Sequence, residues 1–474
     1  MFPLLTLPTD IILPIVESVD DQSDLVSLAQ TCTKLQPLAE AQLFKTIYVR
    51  HGKHARDLSA VLQARPVRFN YVQKLEATPT VRGWECIEVM PSLVRKMGNL
   101  RELRVESPHI NSSRYDRCWT EVSEAEYIDM FKEANESEGE VKPLKNLRSF
   151  TLHSHGADKR YSEIHTALPI FLSLTVTYVH ISCIDIDDFT LPSSAPRAKS
   201  PLKTLVLDEC RIMPAGLSTL LSLPRNLSSL ALREVAHHYP RNSELNKHLI
   251  AVLFALSHQK HSLQFLQHTC LPMNNAERYF QLPGDSTGLS QFKELKTLEL
   301  SQHSILRKIL AVRHLAPPSL DTYRLTGLEY DYDGHWENMP TKISAIASGT
   351  SFRHLELHTK PVSVGFDGLP SCFMLASRAQ KVIEIARMMK EKEITTTLVG
   401  YQRFQYIPPY LYGEKEPLRR VCFDSEEFWT EEDRYLKEQA EEKKADEIKD
   451  KVVPMSDEGT VIAAKISAGY RTGW

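Results

Sequence analysis

Gly284-Asp285-Ser286-Thr287-Gly288 is the stretch of this 474-residue chain whose residue types match a nucleophile motif, Gly-x-Ser-x-Gly. Such a serine becomes reactive only where a buried strand enters and a helix leaves, so that it sits on a strained turn. Here Gln281-Leu282-Pro283 precedes it and Leu289-Ser290-Gln291 follows, which reads as a loop. An esterase built on Ser286 would also need a histidine and an acid within hydrogen-bonding reach. His153 with His155, and His237 with His238, lack a cysteine or carboxylate at metal-ligand spacing. They are expected to be solvated. Phosphate-binding loops, dinucleotide glycine sets and paired carboxylates are missing from the pattern. The eight cysteines (32, 86, 118, 183, 210, 270, 372 and 422) stand singly, so no Cys-x-x-Cys zinc or redox pair is encoded. They read as reduced, small apolar residues of a cytoplasmic or nuclear chain. The expectation is a chain that is not an enzyme, with no catalytic residue, no metal and no cofactor.

Composition narrows the partners. Lys and Arg number 57 against 60 Asp and Glu, a formal charge of −3. Neither a nucleic acid nor an anionic membrane is favoured by that balance. The stretch Ala167 to Ile184 has no Asp, Glu, Lys or Arg. Its Pro169, Tyr178 and His180 are too polar for a membrane span, and it reads as a buried helix end followed by a buried strand.

The elements that must position any site begin with Leu7 to Leu43. Leu7-Pro8 opens a helix, with Ile11, Ile12, Ile15, Val16 and Val19 at helical spacing. Pro14 lies deep in this helix and predicts a kink. Ser23 is placed to cap a second helix holding Leu25, Val26, Leu28 and Ala29. Cys32, Leu35, Leu38 and Leu43 carry the pattern into a third, past Pro37. Three helices in so few residues bury their apolar side chains poorly. Leu7, Pro8, Asp10, Ile11, Ile12, Ile15, Asp24, Leu25, Leu28, Cys32, Lys34 and Leu35 together resemble an F-box. Leu35 stands where that family usually carries an aromatic residue, and Thr31 where it carries Val. The resemblance implies docking on a Skp-type adaptor protein and, through it, on a cullin. Leu7, Pro8, Ile11, Ile12, Ile15, Leu25, Leu28, Cys32 and Leu35 would line or support that contact.

After this module a phrase Leu-x-x-Leu-x-Leu keeps returning. It appears as Leu100-x-x-Leu103-x-Val105, Leu147-x-x-Phe150-x-Leu152, Val176-x-x-Val179-x-Ile181 and Leu202-x-x-Leu205-x-Leu207. Leu227, Leu295, Leu320 and Phe352 open further copies, and Val72, Leu263 and Leu418 weaker ones. Most steps between neighbours are 25 to 36 residues. This resembles an irregular leucine-rich repeat, a solenoid of short parallel strands inside and helices outside. No single unit could bury its apolar edge alone, so stacking is obligatory. Connecting helices are readable over 214–223, 244–256 and 305–315. Of the Asn or Cys that usually follows such a strand, only Cys210 falls at the right offset.

Two insertions, 108–143 and 360–417, interrupt the period. The first reads as a surface helix and loop around Tyr127, Ile128, Met130 and Phe131. The second holds a helix over 377–392 and an aromatic loop over 401–412, read as a cap on the end of the array. From 424 to 474 a Glu- and Lys-rich helix runs into a loose tail.

The fold class expected is α/β: a small three-helix F-box over 1–45, an irregular leucine-rich-repeat-like solenoid over 46–423, and a charged helix and tail over 424–474. Alternation puts Glu102, Arg104, Glu106, Thr151, His153, Asp208, Arg233, Gln267, Glu299, Arg324, His354, Glu356 and His358 on one strand face. The expected partner contact uses Arg104, His153, Asp208, Arg233, Glu299, Arg324, His354, Glu356 and His358. Its mixed charge suits a protein substrate of unknown identity. The function expected is substrate recognition for a Skp-cullin-F-box ubiquitin ligase. The alternative is a leucine-rich-repeat interaction scaffold with no ligase role, in which the first helices merely cap the array and hide their apolar face.

Overall fold

The computed structural model describes residues 4–79, 86–107, 123–136, 142–154, 162–192, 197–234, 243–271, 286–328, 336–359, 372–401 and 419–447. The chain is mixed α/β with mostly parallel strands, and it divides into two compact units between Gln259 and Lys260.

The first unit opens with α1 (Thr9–Glu17), α2 (Gln22–Thr31) and α3 (Gln36–Leu43). The Pro8 carbonyl accepts from the Ile11 and Ile12 N–H groups, so α1 starts one residue after the proline. It continues through Pro14. The cap of α2 is Asp21 rather than Ser23: its carboxylate accepts the Ser23 and Asp24 N–H groups, and the Ser23 hydroxyl donates to it as well. One carboxylate oxygen, Oδ1, takes all three, and the serine two residues on becomes a donor to the cap instead. Ile12, Val16, Leu25, Leu35 and Ala39 close a core between the three helices.

Among the described residues parallel strands follow: β1 (Thr46–Val49), β2 (Lys74–Ala77), β3 (Glu102–Glu106), β4 (Ser149–His153), β6 (Tyr178–Ser182), β8 (Thr204–Asp208) and β10 (Ser229–Arg233). They lie side by side in chain order. The short β5 (Ser162–Glu163), β7 (Ile184–Ile186) and β9 (Arg211–Ile212) form a separate parallel ribbon. Register pairs equivalent phrase positions, as in Leu103 with Phe150, Phe150 with Val179, and Val179 with Leu205. Ahead of each strand, the first apolar residue of the phrase (Val72, Leu100, Leu147, Val176, Leu202, Leu227) is buried. Beside it one carbonyl accepts two successive N–H groups from the next phrase. Gln73 takes Arg101 and Glu102; Arg101 takes Arg148 and Ser149; Arg148 takes Thr177 and Tyr178.

Helices fill the intervals: α4 (Gly52–Ala64), α5 (Met90–Val94), α6 (Ala125–Glu136), α7 (Ile164–Phe171), α8 (Pro214–Leu221) and α9 (Leu249–Ser257). The sequence reading of 108–143 as surface structure is corrected where it is described. Tyr127, Ile128, Met130 and Phe131 of α6 are buried, and the Phe131 ring meets Phe150 of β4 edge-on at 4.8 Å. Its acidic residues disguised an apolar stripe at i, i+1, i+3 and i+4, which is a buried helix face. Ala167 to Ile184 is α7 followed by β6, and no helix among the described residues is long and apolar enough to cross a membrane. In α8, Gly216 is required, because a Cβ there would fall on the Asp187 carbonyl oxygen.

Among its described residues the second unit has six strands in chain order: β11 (Phe265–Thr269), β12 (Thr297–Ser301), β13 (Thr322–Thr326), β14 (His354–Thr359), β15 (Thr395–Tyr401) and β16 (Arg419–Asp424). Neighbours pair in parallel up to β15, and β16 runs antiparallel to it. Its helices are α10 (Arg307–Leu310), α11 (Met339–Gly349), α12 (Cys372–Lys390) and α13 (Ser425–Glu447). The stretch read as a helix over 305–315 is four helical residues flanked by turns. The proposed insertion 360–417 contains α12 and β15, which form one more helix-and-strand step of the array. It escaped the phrase because Thr396 occupies an apolar slot. The aromatic loop beyond Tyr401 lies outside the described residues.

Asp424 accepts the Glu426 and Glu427 N–H groups and caps α13. Near its start Trp429 takes the Lys390 ammonium over its ring at 4.3 Å, so the helix is anchored at its beginning. The tail after Glu447 lies outside the described residues.

The Tyr323 hydroxyl and the Thr396 hydroxyl are buried in the second unit with no hydrogen-bond partner. An unpaired buried hydroxyl costs about 1–3 kcal/mol. Tyr323→Phe and Thr396→Val are therefore expected each to stabilise the protein, by about 1 kcal/mol, read as a raised urea midpoint with unchanged slope. A lowered midpoint for both would show that these hydroxyls are satisfied in solution.

Candidate functional site

Two surfaces carry the residues singled out in the sequence. On the three-helix module the nine expected contact residues separate into an inner and an outer set. Ile12, Leu25 and Leu35 are spent on the module's own core, with Leu7, Leu28 and Cys32 half-buried against it. Pro8, Ile11 and Ile15 face outward, the two isoleucines at 49% and 44% exposure. At spacings of three and four these three residues form one stripe along α1. Leu5 and Val26 are also exposed large apolar residues of this module, and the sequence reading had not placed either in the contact. The Lys34 ammonium donates to the carbonyls of Leu5 (2.5 Å) and Leu7 (3.3 Å), which ties the N-terminal segment to the α2–α3 corner.

The joint between module and strands is short, since only Phe44 and Lys45 separate α3 from β1. It is clamped by Glu40, which is buried on α3. Its carboxylate accepts from Arg68 (2.7 Å), Arg65 (3.1 Å) and Gln36 (3.0 Å), and the Arg68 guanidinium lies 5.1 Å from the Phe44 ring centroid. The Arg68 hydrogen bonds hold the Glu40 carboxyl below the usual carboxylate range. Nothing local in the sequence announced this residue, because its partners are 25 and 28 positions away.

The second surface is the strand face opposite the leucines. In the first unit, register aligns Glu106, His153, Ser182, Asp208 and Arg233 in one row, and Arg104, Thr151 and His180 in the next. His153 is fully buried, which corrects the expectation of a solvated histidine. Its Nδ1 lies 3.1 Å from the Ser182 hydroxyl, and its ring meets His180 edge-on at 4.7 Å. His180 Nε2 reaches Asp208 at 3.3 Å, and Arg233 reaches the same oxygen at 3.4 Å. His180 was within reach of the sequence reading, since it occupies the slot that Arg104 and Thr151 hold on the neighbouring strands.

In the second unit the row is Gln267, Glu299, Arg324, Glu356 and Thr397. Gln267 donates to Glu299 (2.5 Å), and Arg324 pairs with Glu356 through two hydrogen bonds (2.8 and 3.3 Å). Arg324 lies 3.9 Å from Glu299, and His358 contacts Glu356 at 2.9 Å. Burial would raise the Glu356 carboxyl, but His358 and Arg324 bring it down to about 2. His354 is exposed and shares a hydrogen bond with Thr395. The alternation rule thus groups the nine expected residues as Arg104, His153, Asp208 and Arg233 in the first unit, and Glu299, Arg324, His354, Glu356 and His358 in the second. Asp208 pairs with Arg233, Arg324 with Glu299 and Glu356, and Glu356 with His358, all within the set, while His153, Glu299 and His354 also bond to Ser182, Gln267 and Thr395 beside it. The arrangement is a partly buried charged network suited to binding.

Ser286 sits on a loop, where its hydroxyl accepts the Gly288 N–H. The residues after it make a turn and no helix, so the geometry of a nucleophile elbow is missing. Gly284, Asp285, His155, His237 and His238 lie outside the described residues. Among the described residues no three His, Cys, Asp or Glu side chains gather where they could hold a metal. Cys183, Cys210 and Cys270 are buried, and burial pushes the Cys210 thiol up.

Two outcomes follow. Burial, with the His180 ring adding to it, holds His153 well below its ordinary value, and burial, which outweighs the Asp208 carboxylate, holds His180 below it too. An unfolded histidine binds its proton near pH 6.5. Between that pH and the depressed native values the unfolded state binds more protons, so stability rises with pH there and is lost as pH falls. Stability is therefore expected to drop as pH is lowered from 7 toward 5, and His153→Gln should flatten that slope in urea titrations. Glu40→Ala leaves two arginines facing an emptied site; it is expected to cost about 2 kcal/mol and to speed hydrogen exchange in 65–71 relative to the strands. Compared with protein-family models and with curated proteins, the chain matches none.

Proposed function

We propose that this chain is the substrate-recognition subunit of a Skp-cullin-F-box ubiquitin ligase. The observation that carries the reading is the division of labour on α1. Ile12 and Val16 close the module, while Ile11 and Ile15 on the same helix, with Pro8 at its N-cap, remain open to solvent. A cap that hid its apolar face against the first strands would bury that stripe. Exposed contiguous apolar residues on a small helical unit suit a protein contact. The F-box resemblance names the Skp-type adaptor as its occupant. The repeated strand-and-helix array, read as a leucine-rich-repeat-like solenoid, then presents the charged rows to a protein substrate. No chemistry is required of the chain; holding a substrate near a ubiquitin-charged enzyme raises its effective concentration.

Each isoleucine is half exposed and has roughly 1 kcal/mol of apolar burial left to gain. Replacing both with aspartate also places two charges in the contact. Ile11→Asp with Ile15→Asp is expected to weaken co-purification with the adaptor by at least about 100-fold. The unfolding midpoint should stay within about 0.5 kcal/mol of wild type, because both positions are exposed. Undiminished adaptor binding by a folded double variant would end this reading.

A further inference from the structure

The module that carries the open stripe is strongly one-signed. Residues 1–45 hold six carboxylates (Asp10, Glu17, Asp20, Asp21, Asp24, Glu40) and two lysines (Lys34, Lys45). Glu40 is answered by Arg65 and Arg68. The Lys34 ammonium is spent on the Leu5 and Leu7 carbonyls. The other five carboxylates are exposed, and among the described residues none of them forms an ion pair. Asp10 and Glu17 stand two turns apart with Pro14 between them, in the row beside Ile11 and Ile15. Asp20, Asp21 and Asp24 follow at the turn into α2.

We infer that the α1 stripe docks in an apolar groove whose rim carries lysine or arginine side chains. The inference rests on the adaptor-docking reading above and adds the charge of the partner. Two other occupants are disfavoured by the same charges. A second copy of this chain would bring carboxylates against carboxylates, and an anionic lipid surface would repel them. A basic rim gains from all five, because opposite charges steer the encounter and fix its direction. The contribution belongs to exposed groups, so salt screens it over about 8–10 Å at physiological strength.

The test uses the full chain and the purified Skp-type adaptor, with association rates read by biolayer interferometry from 50 to 500 mM NaCl. The wild-type rate is expected to fall at least about tenfold across that range. Asp10→Lys with Glu17→Lys should bind about tenfold more slowly at 50 mM and converge on wild type at 500 mM. The milder Asp10→Asn with Glu17→Gln should fall between them, which guards against a misfolded charge-reversal variant. Salt-independent rates, with both charge variants binding as wild type while Ile11→Asp fails to bind, would overturn the basic rim and leave the docking reading standing. If Ile11→Asp binds as wild type, the docking reading fails and the inference with it. A concentration-dependent dimer of the isolated chain, abolished by Ile11→Asp in sedimentation, would overturn it in favour of self-association.

Discussion

One hydrogen-bond pattern sets the terms for the rest of the structure. A carbonyl just ahead of most of the strands accepts two consecutive N–H groups from the phrase that follows. In the first unit this runs through Lys45, Gln73, Arg101, Arg148, Thr177 and Lys203. In the second it runs through Gln264, Lys296 and Asp321. Backbone groups in a dry interior must be paired, and here the pairing crosses from phrase to phrase at the point where the leading leucine is buried. Neither the leucine nor the backbone turn beside it is satisfied until the neighbouring phrase is in place. That couples hydrophobic burial to strand register and explains why equivalent positions align without slippage. A one-residue shift would send every phrase leucine to the polar face.

That coupling is also why so much was legible. Apolar spacing of three and then two is written into the chain wherever leucine, valine, isoleucine or phenylalanine fills the slots. The weak copies at Val72, Leu263 and Leu418 became strands as well. What failed to read did so for physical reasons. β1 follows Phe44-x-x-Ile47-x-Val49, the same spacing begun by the last residue of the helical corner. β15 puts threonine into a core slot, since a β-branched polar residue satisfies strand geometry as well as valine does. α6 reads as a surface helix because its five charged residues outnumber its four large apolar ones, although burial depends on which face the apolar ones share. β16 carries a readable phrase, but nothing in six residues reveals that it runs the other way.

The candidate surfaces were legible to different depths. Strand alternation found the polar face, and register places the nine residues on that face of their own units. Alternation gives a side but not an environment, so it missed that His153 and Asp208 are sunk below the surface among their neighbours. On the helical module, spacing alone could not separate Ile11 from Ile12. Both belong to one broad apolar sector, and only the angle at which α3 packs decides which isoleucine is covered. Long-range partners such as Arg65 and Arg68 for Glu40 leave no trace in local pattern.

The clamped corner has a mechanical meaning. With two residues between α3 and β1 and a buried carboxylate gripping both sides, the helical module has no slack against the first strands. A flexible tether lets its two ends wander and dilutes each in the volume the other can reach. Here a tilt imposed on α1 is passed to β1 as rotation of one stiff piece. Whatever rests on the strand face is therefore aimed rather than leashed, and the aim is set by three side chains.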